Sequence, residues 1–294
     1  MKKKRKPAGP GKTIGIIGGT GLYKFEGLEN IRQRKIATPF GAPSDAILEG
    51  NFKDARLLFL PRHGKGHRII PSSIPFRANI YAMKKLGAEW IISVSAVGSL
   101  KEGIHPGDVV IIDQFIDKTL KRDGTFFDKG LAAHVQFADP ICSDLAAILY
   151  KAGKKEGVRI HKGGTYCCME GPAFSTRAES RMHRQWGAHL IGMTNLPEAK
   201  LAREAEICYA TIAVVTDYDC WRSDEEDVDI KQILKTLKHV TTDAKKIISA
   251  AVEEIRPPRK CACAESLRGA IVTNKRLIPA AIKKKLKPII GKYV

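Results

Sequence analysis

Thr13-Ile-Gly-Ile-Ile-Gly-Gly-Thr-Gly-Leu22 (TIGIIGGTGL) decides how the rest of the chain is read. A short apolar run ends abruptly in glycines, which predicts a buried strand leading into a tight turn. Runs of the same strand character recur at Arg56–Leu60, Trp90–Val94, Val109–Ile112, Thr165–Cys168, Ala188–Gly192 and Ile207–Val215. Helical periodicity lies between them, at 74–86, 140–156, 176–186, 197–206 and most clearly 228–254. Strands alternating with helices predict an α/β fold, a wound parallel or mixed sheet with helices on its faces.

The chain has 294 residues, of which 44% are apolar, enough for a sizeable core and too many for a disordered chain. No run of about 18 apolar residues is present, so no membrane helix is expected. Seven cysteines are too few for a disulfide scaffold at this length, and a reducing cytoplasm is the expected location. The net charge of +19 sits at the ends. Residues 1–12 carry +6 and residues 256–294 carry +10, leaving +3 for the body. We therefore expect a disordered basic leader at 1–12, a folded domain at 13–255 and a basic extension at 256–294. Without interleaved aromatics or an RNA-binding motif, this charge does not predict a nucleic-acid partner.

The glycine turn is not a dinucleotide fingerprint, because its spacing differs from G-x-G-x-x-G. Nor is it a Walker loop, since no Lys-Ser/Thr follows. What remains is a small-residue loop in which backbone N–H groups and the Thr20 hydroxyl can approach an anion. A second such loop, Pro61–Arg68, places Arg62 beside His63 at a strand end, and a guanidinium there offers an oxyanion a two-pronged fork. A third, Ser93–Ser99, offers Ser95 and the backbone of Ala96. In open α/β sheets ligands collect beyond the carboxyl ends of strands, so these loops predict one phosphate pocket.

After Ile207–Val215 comes Thr216-Asp-Tyr-Asp-Cys-Trp221. Carboxylates at i and i+2 of an extended segment point the same way, and their repulsion raises one proton affinity. Such a pair can donate to a base's ring nitrogen and accept from its exocyclic amine. Phe174 stands in a loop ahead of a helix, where it could stack on that base, and Met193-Thr194 follows another strand.

Taken in order, GIIGGTGL (15–22), TPFGAPSD (38–45), RHG (62–64), Asn79-Ile-Tyr-Ala82, GDVVIIDQFID (107–117), EGPAFSTRAES (170–180), MTNLPEA (193–199) and TDYDCW (216–221) resemble the methylthioadenosine phosphorylase branch of the purine nucleoside phosphorylase family. The resemblance implies a distorted, barrel-like mixed sheet wrapped by helices, assembled as a trimer or dimer of trimers. It implies phosphorolysis of methylthioadenosine to adenine and a ribose 1-phosphate. The alternative is a broader phosphorylase acting on adenosine or 6-oxopurine nucleosides.

By the same resemblance Thr20, Arg62, His63, Ser95, Ala96 and Thr194 bind phosphate. Met193 contacts the ribose, Phe174 covers the base, and Asp217, Tyr218 and Asp219 bind the purine. Protonated Asp217 is the expected acid, with Asp219 holding the 6-amino group. Ser175 and Ile230 tune substrate choice, with Ile233 beside them, and His134 reaches a neighbouring subunit's site. No metal or organic cofactor is expected; phosphate is the co-substrate. Cys261-Ala-Cys263 matches a C-x-C pair of some prokaryotic relatives, where it forms a disulfide. A zinc site would need two more ligands, and none is near in sequence. The tail 265–294 is expected to be an amphipathic helix on the surface of the trimer.

Overall fold

The computed structural model describes residues 11–22, 25–222 and 230–294; the side chains of Thr20, 230–235 and 237–240 lie outside the description. Among the described residues eleven strands form one mixed sheet: β1 (Thr13–Gly18), β2 (Glu29–Arg34), β3 (Ile47–Phe52), β4 (Ala55–Pro61), β5 (Trp90–Ser99), β6 (Val109–Ile111), β7 (Gln114–Lys118), β8 (Ile160–Lys162), β9 (Thr165–Met169), β10 (Leu190–Gly192) and β11 (Cys208–Asp217). Around it lie α1 (Phe76–Lys85), α2 (Ser143–Lys155), α3 (Arg177–Gln185), α4 (Glu198–Glu204), α5 (Ile230–Glu254), α6 (Ala280–Lys285) and α7 (Lys287–Ile290). Among the described residues no helix is long and apolar enough to cross a membrane.

The main path runs β2-β3-β4-β1-β5-β10-β9-β7, with β11 and then β6 and β8 branching from β5. β1 lies between two parallel neighbours, β4 and β5, and every residue in it is buried. That is why it reads as an unbroken apolar run. α5 lays Ala244, Ile247, Ile248, Ala251 and Val252 against the body, the three-and-four spacing of a helix face.

The strand that positions the site is β5, because it changes partners along its length. Its first residues pair with β1, ending at Ile17 opposite Ser93. Its last pair with β10, where Ile191 faces Gly98 and Leu190 faces Ser99. β11 follows the other edge throughout, from Trp90 to Gly98. Val94–Val97 are therefore strand residues with a slot on one side, between the end of β1 and the end of β10. The expected loop at 93–99 is corrected here: Ser95 and Ala96 lie inside a strand, because β11 holds their second edge in register.

Three further differences have simple causes. β2 (ENIRQR) is exposed along its whole length, so its sequence carries no apolar pattern. Lys12 belongs to the body rather than the leader: it is buried and donates from Nζ to the Ile255 carbonyl at 2.9 Å while pairing with Asp54 at 2.9 Å. Residues 1–10 lie outside the described residues. The basic extension is likewise part of the core, with Leu267, Ile278, Leu286, Ile289 and Ile290 buried in it. In place of one surface helix there are two short ones, and the Tyr81 hydroxyl of α1 donates to the Lys285 carbonyl at 3.0 Å. The lysines at 283–285 hide this from a reading by charge.

Candidate active site

The slot beside Val94–Val97 gathers the residues expected at one anion site. β10 runs antiparallel to β5, so the chain leaving it brings Thr194 back alongside Ser95. Their hydroxyl oxygens are 2.9 Å apart, both side chains are buried, and Ala96 is exposed to the open side. The Tyr166 hydroxyl joins them, 3.4 Å from Ser95 Oγ and accepting from the Thr194 N–H at 3.4 Å. A Cβ at Gly192 would stand 2.1 Å from that hydroxyl, so only glycine lets β10 lie against Tyr166. Nothing in the sequence marked Tyr166 except its place on a predicted strand.

Arg62 follows β4 into the slot's floor, where most of its donors are already engaged within the chain. Its Nε donates to Glu198 Oε2 at 2.8 Å and its Nη2 to Glu198 Oε1 at 2.9 Å. Nη2 also donates to Ser93 Oγ at 2.6 Å, and Nη1 to the Val94 carbonyl at 3.0 Å. The fork that seemed available to an oxyanion is closed on Glu198; of five N–H bonds, one on Nη1 remains. Burial works against the charge, but Glu198 outweighs it and raises the Arg62 pKa above its ordinary value. Glu198 itself is fully buried and also accepts from Ser93 Oγ and the Tyr209 hydroxyl, each at 2.9 Å. Its signal in the sequence was an acid at the apolar start of a helix, after Leu196-Pro197.

His63 is a neutral acceptor rather than a cation. Burial, with Arg62 and His67 adding to it, pushes its pKa down to about 4 against the bond to Ile69. Nδ1 lies 2.8 Å from the Ile69 carbonyl, which can only accept, so Nδ1 carries the proton and Nε2 a lone pair. The ring stacks on His67 with centroids 4.1 Å apart. Two of the matching strings brace this loop. Asn79 exchanges hydrogen bonds with Ser44 at 2.8 and 2.9 Å, Arg68 donates to the Ser44 carbonyl, and the Lys65 N–H donates to Asp45.

At the end of β11 the carboxyl pair is held by a turn, not by strand pleating. Asp219 has a left-handed φ of 54°, and its N–H donates to Asp217 Oδ1 at 2.8 Å, while the Thr216 hydroxyl donates to Asp217 Oδ2 at 2.6 Å. Burial raises the Asp219 pKa above its ordinary value, and Asp217 adds to this against the hydroxyls of Ser180 and Ser175. Among the described residues Asp219 Oδ2 is buried with no hydrogen-bond partner. Asp219 is thus the more enclosed of the two carboxyls. Tyr218, expected to touch the purine, engages His105 with its hydroxyl and meets Trp221 edge-on.

The loop before α3 leans on the acidic turn. The Cys220 thiol donates to the Ser175 carbonyl at 3.2 Å, and Phe174 is 44% exposed, an open ring rather than a core residue. A capping box between Thr176 and Glu179 fixes where α3 begins. Arg122, which the sequence did not flag, ties this loop to the segment after β10. It donates to the carbonyls of Met193 at 2.7 Å, Leu196 at 2.6 Å, Met169 at 3.3 Å and Glu170 at 2.7 Å, and pairs with the Glu170 carboxylate. Met193 is set by this brace and by Gly171, whose φ is +68° and where a Cβ would meet Met193 Sδ at 2.5 Å.

The remaining expected residues are less engaged. Thr20 begins a single helical turn, with its side chain outside the description, as are those of Ile230 and Ile233 at the start of α5. His134 is exposed beside the C-terminal segment, with its N–H on the Ala270 carbonyl at 2.9 Å, and makes no described contact with the other site residues.

The phosphorylase superfamily model matches residues 13–253. The chain belongs to that superfamily. It is 56% identical to the S-methyl-5'-thioadenosine phosphorylase of Geobacter sulfurreducens over 96% of this chain and 99% of the relative. It is 50% identical to the protein of the same name from Hyperthermus butylicus, over 88% and 95%. Among solved structures it superposes on a methylthioadenosine phosphorylase from an Antarctic soil metagenomic library with a TM-score of 0.91, at 47% identity and 95% and 99% coverage. Superposition on the Schistosoma mansoni methylthioadenosine phosphorylase with adenine bound gives 0.81, at 37% identity and 88% and 96% coverage. As a phosphorylase of this superfamily, it has the mixed sheet and the helices that the alternation of strands and helices predicted.

Proposed function

We propose that this chain cleaves S-methyl-5'-thioadenosine with phosphate, releasing adenine and 5-methylthioribose 1-phosphate. The observation that carries the reading is the carboxyl pair Asp217 and Asp219 beside the slot of β5. Asp217 faces Gly98, two residues beyond Ala96. At about 3.3 Å per residue, a base at the carboxylates and an anion at the slot lie about 7 Å apart, the room a ribose needs.

In this reading phosphate lies in the slot, on the backbone N–H of Ala96, the hydroxyls of Ser95, Thr194 and Thr20, and the last Nη1 hydrogen of Arg62. Neutral His63 accepts a P–OH hydrogen through Nε2. Breaking the sugar–base bond builds positive charge at the anomeric carbon and negative charge on the purine. Asp219, whose pKa burial raises, donates toward the ring nitrogen; Asp217, fixed by Thr216 and the turn, accepts from the 6-amino group. Phosphate then captures the anomeric carbon with little motion. Met193 lies at the sugar, Phe174 covers the base, and Ser175 and Ile230 shape the choice of substrate. The reaction needs neither metal nor organic cofactor.

We further infer a trimer or dimer of trimers in a reducing cytoplasm, with His134 completing a neighbour's site. Base release from methylthioadenosine, adenosine and inosine, with and without phosphate, tests the reading. Fast adenine release from methylthioadenosine that stops without phosphate is expected. Preference for inosine overturns the roles of the carboxyls, and release without phosphate overturns the slot as a phosphate site.

A further inference from the structure

Four cysteines from distant parts of the chain converge at the start of β11, the end away from the carboxyl pair. Cys142 immediately precedes α2, Cys208 opens β11, and Cys261 and Cys263 lie in the loop leaving α5. Their sulfurs all lie within 4.8 Å of one another, and those of Cys208 and Cys261 are 3.2 Å apart. All four are free thiols; three are buried and Cys261 is partly exposed. The sequence offered only the C-x-C pair, and the fold supplies the two ligands it lacked.

We propose that these four thiolates hold one tetrahedral zinc ion that fastens the C-terminal segment to the catalytic sheet. A Zn–S bond of about 2.3 Å sets tetrahedral sulfurs about 3.8 Å apart, so the observed cluster needs to contract by only about 1 Å at its widest. Four sulfur donors, with no carboxylate or imidazole in the set, suit zinc and exclude the oxygen-seeking cations calcium and magnesium. Binding is a proton exchange: four S–H bonds give their protons to solvent, four Zn–S bonds form, and no electron moves.

The surroundings suit the two net negative charges that result. Arg259 Nη1 is 3.9 Å from Cys208 Sγ and is itself fixed by the Glu206 carbonyl at 2.7 Å. Arg203, fixed by the Gln136 carbonyl at 3.0 Å, adds positive charge within electrostatic reach of Cys263. The positive end of α2, a helix of 13 residues, begins at the residue after Cys142. All four coordination positions are taken by protein, so the ion is structural and has no opening for a substrate.

The test is metal analysis of the full chain, expressed with zinc in the medium and purified in reductant without chelator. About one zinc per chain is expected, and cobalt substitution should give the visible bands of a tetrahedral tetrathiolate. Cys142→Ser combined with Cys263→Ser should lower zinc to about a tenth or less. Because that variant could misfold, the wild type alone also decides. Stripping its zinc should lower the melting temperature and speed proteolysis after residue 255, and adding zinc back should reverse both. Zinc below about a tenth per chain, iron in its place, or disulfides among these cysteines in the protein as isolated would each overturn the proposal.

Discussion

The Arg62 guanidinium and the Glu198 carboxylate, 136 positions apart, meet through two hydrogen bonds of 2.8 and 2.9 Å with both side chains buried. The pair turns a residue that resembles a phosphate ligand into part of the floor on which phosphate would rest. Removing one partner leaves the other charge buried and alone, which costs about 3–5 kcal/mol. Glu198→Ala is therefore expected to lower the melting temperature sharply. Glu198→Gln should fold, with a raised KM for phosphate and an unchanged preference among purines. Thermal melts and phosphate saturation curves check both.

The two acids at the end of β11 should fail differently. Asp219→Asn is expected to lower kcat by about 100-fold or more, leaving KM for phosphate within about twofold. Asp217→Asn should chiefly relax the choice between 6-amino and 6-oxo purines. Should Asp217→Asn prove the slower enzyme while Asp219→Asn keeps most of its rate, the proton belongs to Asp217. Stability gives a second readout. A carboxyl with a raised pKa favours folding least above that pKa, so Asp219→Asn should stabilise the protein at neutral pH and not in acid.

Glu204 offers a pH test away from the chemistry. It is buried and accepts from the Thr125 hydroxyl and the Phe126 N–H, each at 2.7 Å. Burial nevertheless pushes its pKa up to about 7 from 4.5, against those two bonds and Lys200. The folded state then holds a proton that the unfolded chain has lost, so stability falls as pH rises from about 4.5 through about 7. Relative to Glu204→Gln, the wild type should lose on the order of 3 kcal/mol across that range. Denaturant midpoints at pH 5 and pH 8 measure it; parallel curves for the two proteins contradict it.

Arg122 braces both the base loop and the segment carrying Met193 and Thr194. Arg122→Lys keeps the charge but loses the flat array of donors that reaches four carbonyls. KM for nucleoside and for phosphate should rise together, with kcat/KM down about tenfold or more, because displacing either loop spoils alignment. Two-substrate kinetics show whether they move together; a change confined to phosphate contradicts a shared brace.

What the sequence disclosed depended on where the physics is local. β1, β4, β5 and β11 are buried on both faces, so they stand out as apolar runs ending in small or charged residues. The string of motifs then pointed to Thr194, Asp217 and Asp219 as candidate site residues. β2 is exposed from end to end and has no such signal. Leu286, Ile289 and Ile290 have helical spacing, but their lysine neighbours mask it. The partnerships were hidden for a different reason: nothing near Arg62 names Glu198 as its acceptor, and nothing near Cys261 names Cys142. Ser175 and Phe174 were legible as a loop, whereas the enclosure that raises Asp219 exists only once that loop reaches the end of β11.

The change of partners along β5 has a consequence for how this enzyme can be lost or altered by mutation. The donors that the slot offers at residue 96 are main-chain atoms, and every amino acid except proline supplies them. Single replacements of side chains there adjust the anion's fit without deleting its anchor. Insertions or deletions in β5, or shifts in its alignment with β11, displace the anchor and the carboxylates together. Length and register in this one strand should therefore vary less than residue identity as such proteins diverge.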